Sequence, residues 1–406
     1  MTVPSEHRHE VTAGWATLLG AGSFLSVGIA AGGILTLALN LLLARYFGTR
    51  EYSTLAPLLS FGALAGVASA GVQNAIMFDI VSHGTFSVAK RHLGHLVVVS
   101  AVLMALSPLV AVALKVSLTS AIVAMVFASA TLLSCVPVAM LLANRRVTAI
   151  AGWNFLQALI RLLAVVPFRH GNPVTVAFAA SLGAVAVGVA GMLTSALRNV
   201  SSPRRASGDT PVQFIQYALG AILFLPVSVP TWFARRVLNP SDAGVVALAV
   251  VVASTIAMFA GPVTSVVTPR IRSGERHTII SRGAWLTGLF AGTAGVVLVV
   301  AAPVILPHVE STSLVNFASY LVPLAGGAVV WSLALYFTWV DVAARGRAGY
   351  YLLGCLGALV IQAAAAWAVS SAPSITWGPL LSGVVYGIAV FVEFRRHWRG
   401  DVSPAA

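Results

Sequence analysis

The chain has 406 residues, of which 58% are hydrophobic and only 9% charged, and its mean hydropathy is +0.93. A soluble domain carries roughly 25% charged residues, so this chain has too little charge to cover a water-facing surface, and a soluble globular fold is excluded. The net charge of +13 invites a nucleic-acid reading, but the basic residues fall between apolar stretches rather than on one patch, and no nucleic-acid partner is expected.

A membrane-crossing helix needs about 20 apolar residues. Hydropathy places twelve such spans, at 18–44, 52–77, 94–114, 118–143, 149–168, 173–197, 212–233, 243–268, 284–308, 315–340, 348–370 and 376–394. A polar stretch of about fifteen residues leads into the first span, which serves as its own insertion signal. That span holds Asn40 and ends at Arg45; the second contains Pro57 and ends near Gln73 and Asn74. Only Lys115-Val116-Ser117 separates the third span from the fourth, and prolines at 108 and 137 predict bends in this pair. The fifth span carries Asn154, Gln157 and Arg161, spaced i, i+3 and i+7 and so on one helical face.

Between the sixth and seventh spans runs the longest hydrophilic connection, RNVSSPRRASGDTP, Arg198–Pro211. It divides the chain into an N-terminal six-helix half (1–200), a cytoplasmic linker (201–211) and a C-terminal six-helix half with a short basic tail (212–406). The seventh span opens on Gln213, Gln216 and Tyr217, is predicted to bend at Pro226 and Pro230, and ends on Arg235 and Arg236. In the tenth span Trp331, Tyr336 and Trp339, with Tyr350 and Tyr351 beyond, read as an interfacial aromatic belt. Glycine pairs four apart (28/32, 62/66, 288/292 and 383/387) read as close helix contacts.

Of the 24 Lys and Arg residues, 17 fall on the side holding both termini, six on the other, and Arg161 inside a span. By the positive-inside rule both termini are cytoplasmic. The expected location is a bacterial cytoplasmic membrane.

The two halves are related. Shifted by 191 residues without a gap, Arg45 falls on Arg236, Glu51 on Asp242, Ala56 on Ala247, Val72 on Val263, Ile80 on Ile271 and Ser82 on Ser273. An even number of spans per half makes the repeats parallel. The predicted fold is an all-α membrane protein of about twelve transmembrane helices in two parallel halves around a central cleft, an arrangement found in transporters.

Enzyme signatures are missing: the sequence has no GxxxxGK[ST], no HExxH and no Cys/His cluster with metal spacing. No catalytic residue, cofactor or metal is expected, and Cys135 and Cys355 read as packing residues. The carboxylates Glu51, Asp79, Asp242, Glu310, Asp341 and Glu393 sit in loops or at span ends, which leaves no mid-span acid to carry a coupling ion or meet a cationic drug. Cations and amides do occur within the spans. Arg161, Asn154 and Gln157 either line a wet cavity or belong to an arginine that snorkels or binds backbone carbonyls. Arg45, Arg235 and Arg236, with Asn40, Asn74 and Gln216, either line a positive central cleft or, for the arginines, anchor span ends at the interface. A cleft of arginines and amides suits a sugar pyrophosphate, since guanidinium groups bind phosphate oxygens bidentately.

The stretch LALNLLLARYFGTREYSTLAPLLSFGALAGVASAGVQNAI (Leu37–Ile76) resembles the opening of polysaccharide flippases of the multidrug/oligosaccharidyl-lipid/polysaccharide (MOP) exporter superfamily. The likeness rests on Ala44-Arg45, Phe47-Gly48 and Glu51-Tyr52, followed by an apolar span rich in small residues. It departs from the pattern at Ser53, where glycine is usual, whereas the second half has Ala243-Gly244 after Asp242. The resemblance implies a non-enzymatic transporter that moves an undecaprenyl-pyrophosphate-linked saccharide between leaflets by alternating access. Arginines would hold the pyrophosphate. Membrane lipids and polysaccharide polymerase machinery would be its partners, and it would act as a monomer. A multidrug exporter of the same superfamily and a major-facilitator transporter are the alternatives; for the latter, DIVSHGTFSVAKRHLG lacks the GxxxDRxGR pattern expected between the second and third spans.

Overall fold

The structure is a computed structural model. It describes residues 5–83, 85–144, 146–197, 222–257, 276–305, 317–345, 348–369 and 371–398, together with 219, 260, 261, 263, 264 and 267. The linker and Gln216 lie outside the described residues. Within them the regular elements are helices: α1 (Ser5–His83), α2 (Thr85–Ala105), α3 (Ser107–Leu114), α4 (Leu118–Leu133), α5 (Cys135–Ala143), α6 (Val147–Val165), a 3-10 turn (Val166–Phe168), α7 (Pro173–Leu197), α8 (Leu225–Val237), α9 (Pro240–Ala257), α10 (Arg276–Ile305), α11 (Phe317–Arg345), α12 (Ala348–Val369) and α13 (Ala372–Trp398).

Helix α1 is two crossings. At Gly48 the backbone takes φ 75° and ψ 162°, a left-handed value that glycine adopts without a Cβ clash. In a straight helix, residues twelve apart lie about 18 Å from each other, yet the Tyr52 hydroxyl donates to Asn40 Oδ1 at 2.9 Å. The chain therefore folds back, and α1 has a first limb before Gly48 and a second limb after it. Among the described residues nine helices are long and apolar enough to cross a membrane, or ten when α2 and α3, bent by 42°, count as one. The fold-back splits one of these in two. With α8 marking the seventh crossing, twelve crossings follow in the order hydropathy predicts. The start of α1 and the end of α13 then lie at one end of the bundle, here the near end; the opposite end is the far end.

The local breaks have local causes. Lys115 closes α3 in the left-handed conformation (φ 52°). The Val116 N–H reaches back to Ala111 O at 3.0 Å, and the Ser117 hydroxyl accepts the Ser120 N–H at 3.1 Å to cap α4. Three residues thus suffice to separate the third and fourth spans. Between α4 and α5 the helix breaks at Ser134, one turn before Pro137, where the proline ring cannot coexist with a regular preceding turn.

The seventh span shows where proline-released carbonyls go. Pro226 has no N–H for Ile222 O, and Pro230 has none for Pro226 O. Two side chains of α12 take their place. Cys355 Sγ donates to Ile222 O at 3.3 Å, and Gln362 Nε2 donates to Pro226 O at 2.8 Å. The two are seven residues apart, on one face of α12. Gln362 is 2% exposed, so Gln362→Leu should leave a buried carbonyl unpaired at a cost of about 1–3 kcal/mol. Thermal unfolding of the purified protein checks this, and an unchanged melting temperature would show that Pro226 O needs no partner.

The aromatic-belt reading is corrected. Trp331, Tyr336 and Tyr351 are fully buried in the C-terminal half, and only Tyr350 is largely exposed. Trp331 stacks on Tyr386 at 4.9 Å and donates to Pro379 O at 3.1 Å; the Tyr336 hydroxyl donates to Ile280 O at 2.8 Å. Glycines on neighbouring helices make the room. A Cβ on Gly383 would lie 2.8 Å from the Trp331 ring and one on Gly283 would lie 2.2 Å from the Tyr336 hydroxyl. The glycine pairs also divide. A Cβ on Gly62 would overlap the Phe127 ring, as close contact predicts, whereas Gly292 faces open space.

Among the described residues the apolar core is continuous at the far end and divided at the near end. One cluster joins residues from both halves, from Leu39, Leu43 and Tyr52 to Val246, Ala253, Phe317 and Ile375. At the near end of the N-terminal half a separate cluster runs from Ile76 to Leu141 and Met192. Two further clusters belong to the C-terminal half. Among the described residues, Leu64 is the contact of the N-terminal half with them. Among the described residues, the halves are joined at the far end and have separate cores at the near end.

Candidate functional site

Arg161 lies well inside the N-terminal half, on α6. Its Nε donates to the Ser181 hydroxyl of α7 at 2.6 Å, and its guanidinium carbon sits 5.1 Å from the centroid of Phe127 on α4, within cation–π range. Ser181 passes its own proton to Ala177 O at 2.6 Å. Among the described residues no carboxylate pairs with Arg161, and its two Nη groups have no hydrogen-bond partner. Tyr52, fully buried on the second limb, is near enough for the two groups to act on each other electrostatically. Tyr52 in turn holds Asn40, whose Nδ2 donates to Thr36 O at 2.8 Å.

The predicted face of the fifth span turns toward α7 and the first limb. Gln157 lies against Gly188, where a Cβ would fall 1.6 Å from its Nε2. That Nε2 is buried with no partner among the described residues. Asn154 is half-buried, and its backbone oxygen faces Gly32 of the first limb. Asn40, Gln157 and Arg161 are thus gathered in the interior of one half, with Asn154 beside them. The remaining predicted residues stand elsewhere. Arg45 and Arg236 are exposed at the far end, Arg235 is half-buried there, the Asn74 side chain is not among those described, and Gln216 lies outside the described residues.

At the far end the second limb crosses α8 and α9. Arg235 Nη1 donates to the Ser53 hydroxyl at 3.0 Å, and Trp232 Nε1 donates to the Ser60 hydroxyl at 2.7 Å. The Trp232 ring stacks on Phe61 at 4.8 Å. Gly244 lets the backbones touch: a Cβ there would be 2.0 Å from Thr49 O. The helix breaks at Gly48 and at Leu238-Asn239 coincide under the 191-residue shift.

Sequence reasoning passed over Trp232, Ser53, Ser60 and Phe61, since nothing in an apolar span marks which side chains face the other half. It also placed Asp79 and Asp341 at span ends without seeing that they are 7% and 1% exposed. Asp79 is held by Arg91 and by His92 Nε2 at 2.8 Å. The spacing of an acid twelve and thirteen residues before an Arg-His pair was the available signal. Among the described residues no group of three or more His, Cys, Asp or Glu side chains could hold a metal.

Of the predicted site residues, those with side-chain groups lacking a partner among the described residues offer donors: the Arg161 Nη atoms, Gln157 Nε2 and Arg235 Nε. Donors without acceptors, two of the groups cationic and Gln157 Nε2 and Arg235 Nε buried, suit an anionic ligand rather than a cationic one.

No family model and no curated protein matches the sequence. Solved structures do match over nearly the whole chain. A MATE in complex with MaL6 aligns with TM-score 0.69 at 14% identity, covering 93% of this chain and 95% of that one. An inward-facing multidrug resistance MATE family transporter of the MOP superfamily aligns with TM-score 0.69 at 14% identity, covering 94% and 99%. The lipid II flippase MurJ, in an inward closed conformation, aligns with TM-score 0.68 at 10% identity, covering 91% and 87%. The chain shares the fold of these transporters. At such identities the match establishes architecture and chain course alone.

Proposed function

We propose that this protein is a transporter that flips a lipid-linked saccharide, carried on undecaprenyl pyrophosphate, across a bacterial cytoplasmic membrane for surface polysaccharide synthesis. The observation that carries the reading is Arg161, a guanidinium held inside the N-terminal half with unpaired Nη donors and no carboxylate partner among the described residues. An exporter of cationic drugs needs the opposite charge in that place. The pyrophosphate would meet Arg161, with Asn40, Asn154 and Gln157 offering amides to sugar hydroxyls, while the lipid tail stays in the bilayer.

With both termini cytoplasmic, the near end faces the cytoplasm. The separate cores there and the shared core at the far end, among the described residues, support a cleft open to the cytoplasm and closed to the outside. Arg45 and Arg236, exposed at the far end, would steer the head group or anchor the spans, and Arg235 and Asn74 would line the path between the halves. The membrane potential can drive an anionic head group outward, at roughly 2.3 kcal/mol per charge per 100 mV.

The test is a deletion strain whose lipid-linked saccharides are extracted and resolved by leaflet. A single intermediate should build up on the cytoplasmic face. Normal lipid-linked pools and normal surface glycan, with altered sensitivity to cationic drugs, would replace this reading with that of a multidrug exporter.

A further inference from the structure

The far-end contact between the halves contains a second arginine without an acid. Arg235 is half-buried; among the described residues its Nη1 bonds only the neutral Ser53 hydroxyl, at 3.0 Å, and its Nε is buried with no partner. We infer that Arg235 and Ser53 form an anion-operated bolt on the far-end gate: a pyrophosphate-class anion arriving along the cleft takes the guanidinium from Ser53 and lets the two halves part. The inference rests on the transporter reading above.

Three features point this way. The first is the asymmetry of the pair. Ser53 already donates its proton to Arg50 O at 2.6 Å, so on losing Arg235 it leaves no donor stranded. Arg235 does the reverse: its Nε lacks an acceptor now, and parting from Ser53 would strand Nη1 as well. A phosphate oxyanion offers a guanidinium two charge-assisted bonds where the hydroxyl offers one neutral acceptor, so exchange favours the anion.

The second is position. The second limb and α8 run antiparallel here, with Arg235 against Ser53 nearest the far end and Trp232 against Ser60 and Phe61 deeper. Arg235 and Trp232 are three residues apart on one helix, so a displacement of α8 that frees one withdraws the other. The third is the crossing at Gly244, where α9 meets the Thr49 backbone with no side chain between them, so at that point the two helices can part without a rotamer change. An anion can shift this equilibrium only by binding the open arrangement better, and a guanidinium freed from Ser53 supplies that difference.

The experiment uses the full chain in nanodiscs, spin-labelled at Arg50→Cys and Ser241→Cys. These positions are exposed at the far end, one on each half, and equivalent under the 191-residue repeat. The native Cys135 and Cys355 are buried and stay unlabelled. Pulsed electron paramagnetic resonance reads the distance. Inorganic pyrophosphate, against chloride at equal ionic strength, should add a longer-distance population and raise the open-to-closed ratio several-fold. Ser53→Ala should raise it without pyrophosphate, and Arg235→Gln should abolish the response to pyrophosphate. The inference is overturned if Arg235→Gln responds as the native residue does, if Ser53→Ala leaves the ratio at its native value, or if pyrophosphate moves nothing. A pyrophosphate-responsive gate in a protein whose deletion leaves lipid-linked saccharides normal would keep the bolt and retire only the cargo.

Discussion

Replacing Gly244 with valine should be the most damaging single change at the contact between the halves. A Cβ at this position would lie 2.0 Å from Thr49 O, 2.7 Å from Thr49 C and 3.0 Å from Thr49 Cα. All three are backbone atoms, so no rotamer change relieves the overlap, and the second limb must move away from α9. Overpacking a core costs about 1–3 kcal/mol even where side chains can adjust, and the loss here should sit at the top of that range. The contact is central to the shared far-end core, since Val245, Val246 and Leu248 beside it are nearly inaccessible. The measurement is thermal unfolding of purified protein, with Gly292→Val as the comparison, because a Cβ at Gly292 meets nothing within 4 Å. Gly244→Val should melt well below the native protein and Gly292→Val close to it. Equal melting of the two variants would refute the backbone crossing.

Arg161→Ala should have the largest effect on transport. A hydrogen bond to a charged group contributes about 1.5–3 kcal/mol, which corresponds to a loss of roughly 10- to 150-fold in cargo binding. Arg161→Lys keeps the charge and loses the fork, so it should fall between Ala and the native residue. The same side chain also packs over Phe127 and bonds Ser181, so a purely structural role has to be separated from a binding one. Ser181→Ala provides the comparison. It removes the Nε contact and leaves the Nη groups in place, and it should lower the melting temperature slightly while leaving export of the surface glycan near normal. If Arg161→Ala and Ser181→Ala reduce export equally, with matching losses of stability, Arg161 is a packing residue and the pyrophosphate site lies elsewhere.

The amino-acid sequence by itself determined the membrane class, the order of the crossings and the breaks. These follow from local physics: apolar length sets a span, proline removes an N–H, Gly48 permits a positive φ, and Ser117 caps the helix that follows it. The i, i+3, i+7 spacing of Asn154, Gln157 and Arg161 likewise marked one face of the fifth span. What that face meets was decided only by tertiary structure, because α7 offers Gly188 and Ser181 to it and hydropathy is blind to partners. The same holds for Trp331 and Tyr336, which composition assigns to an interface and glycines on neighbouring helices admit to the core. It holds again for Trp232 and Arg235, whose partners Ser60 and Ser53 lie 172 and 182 residues away. In a chain that is apolar on nearly every helical face, periodicity no longer distinguishes lipid from protein, so the contacts between helices are set by shape and by the few polar groups that must find a partner.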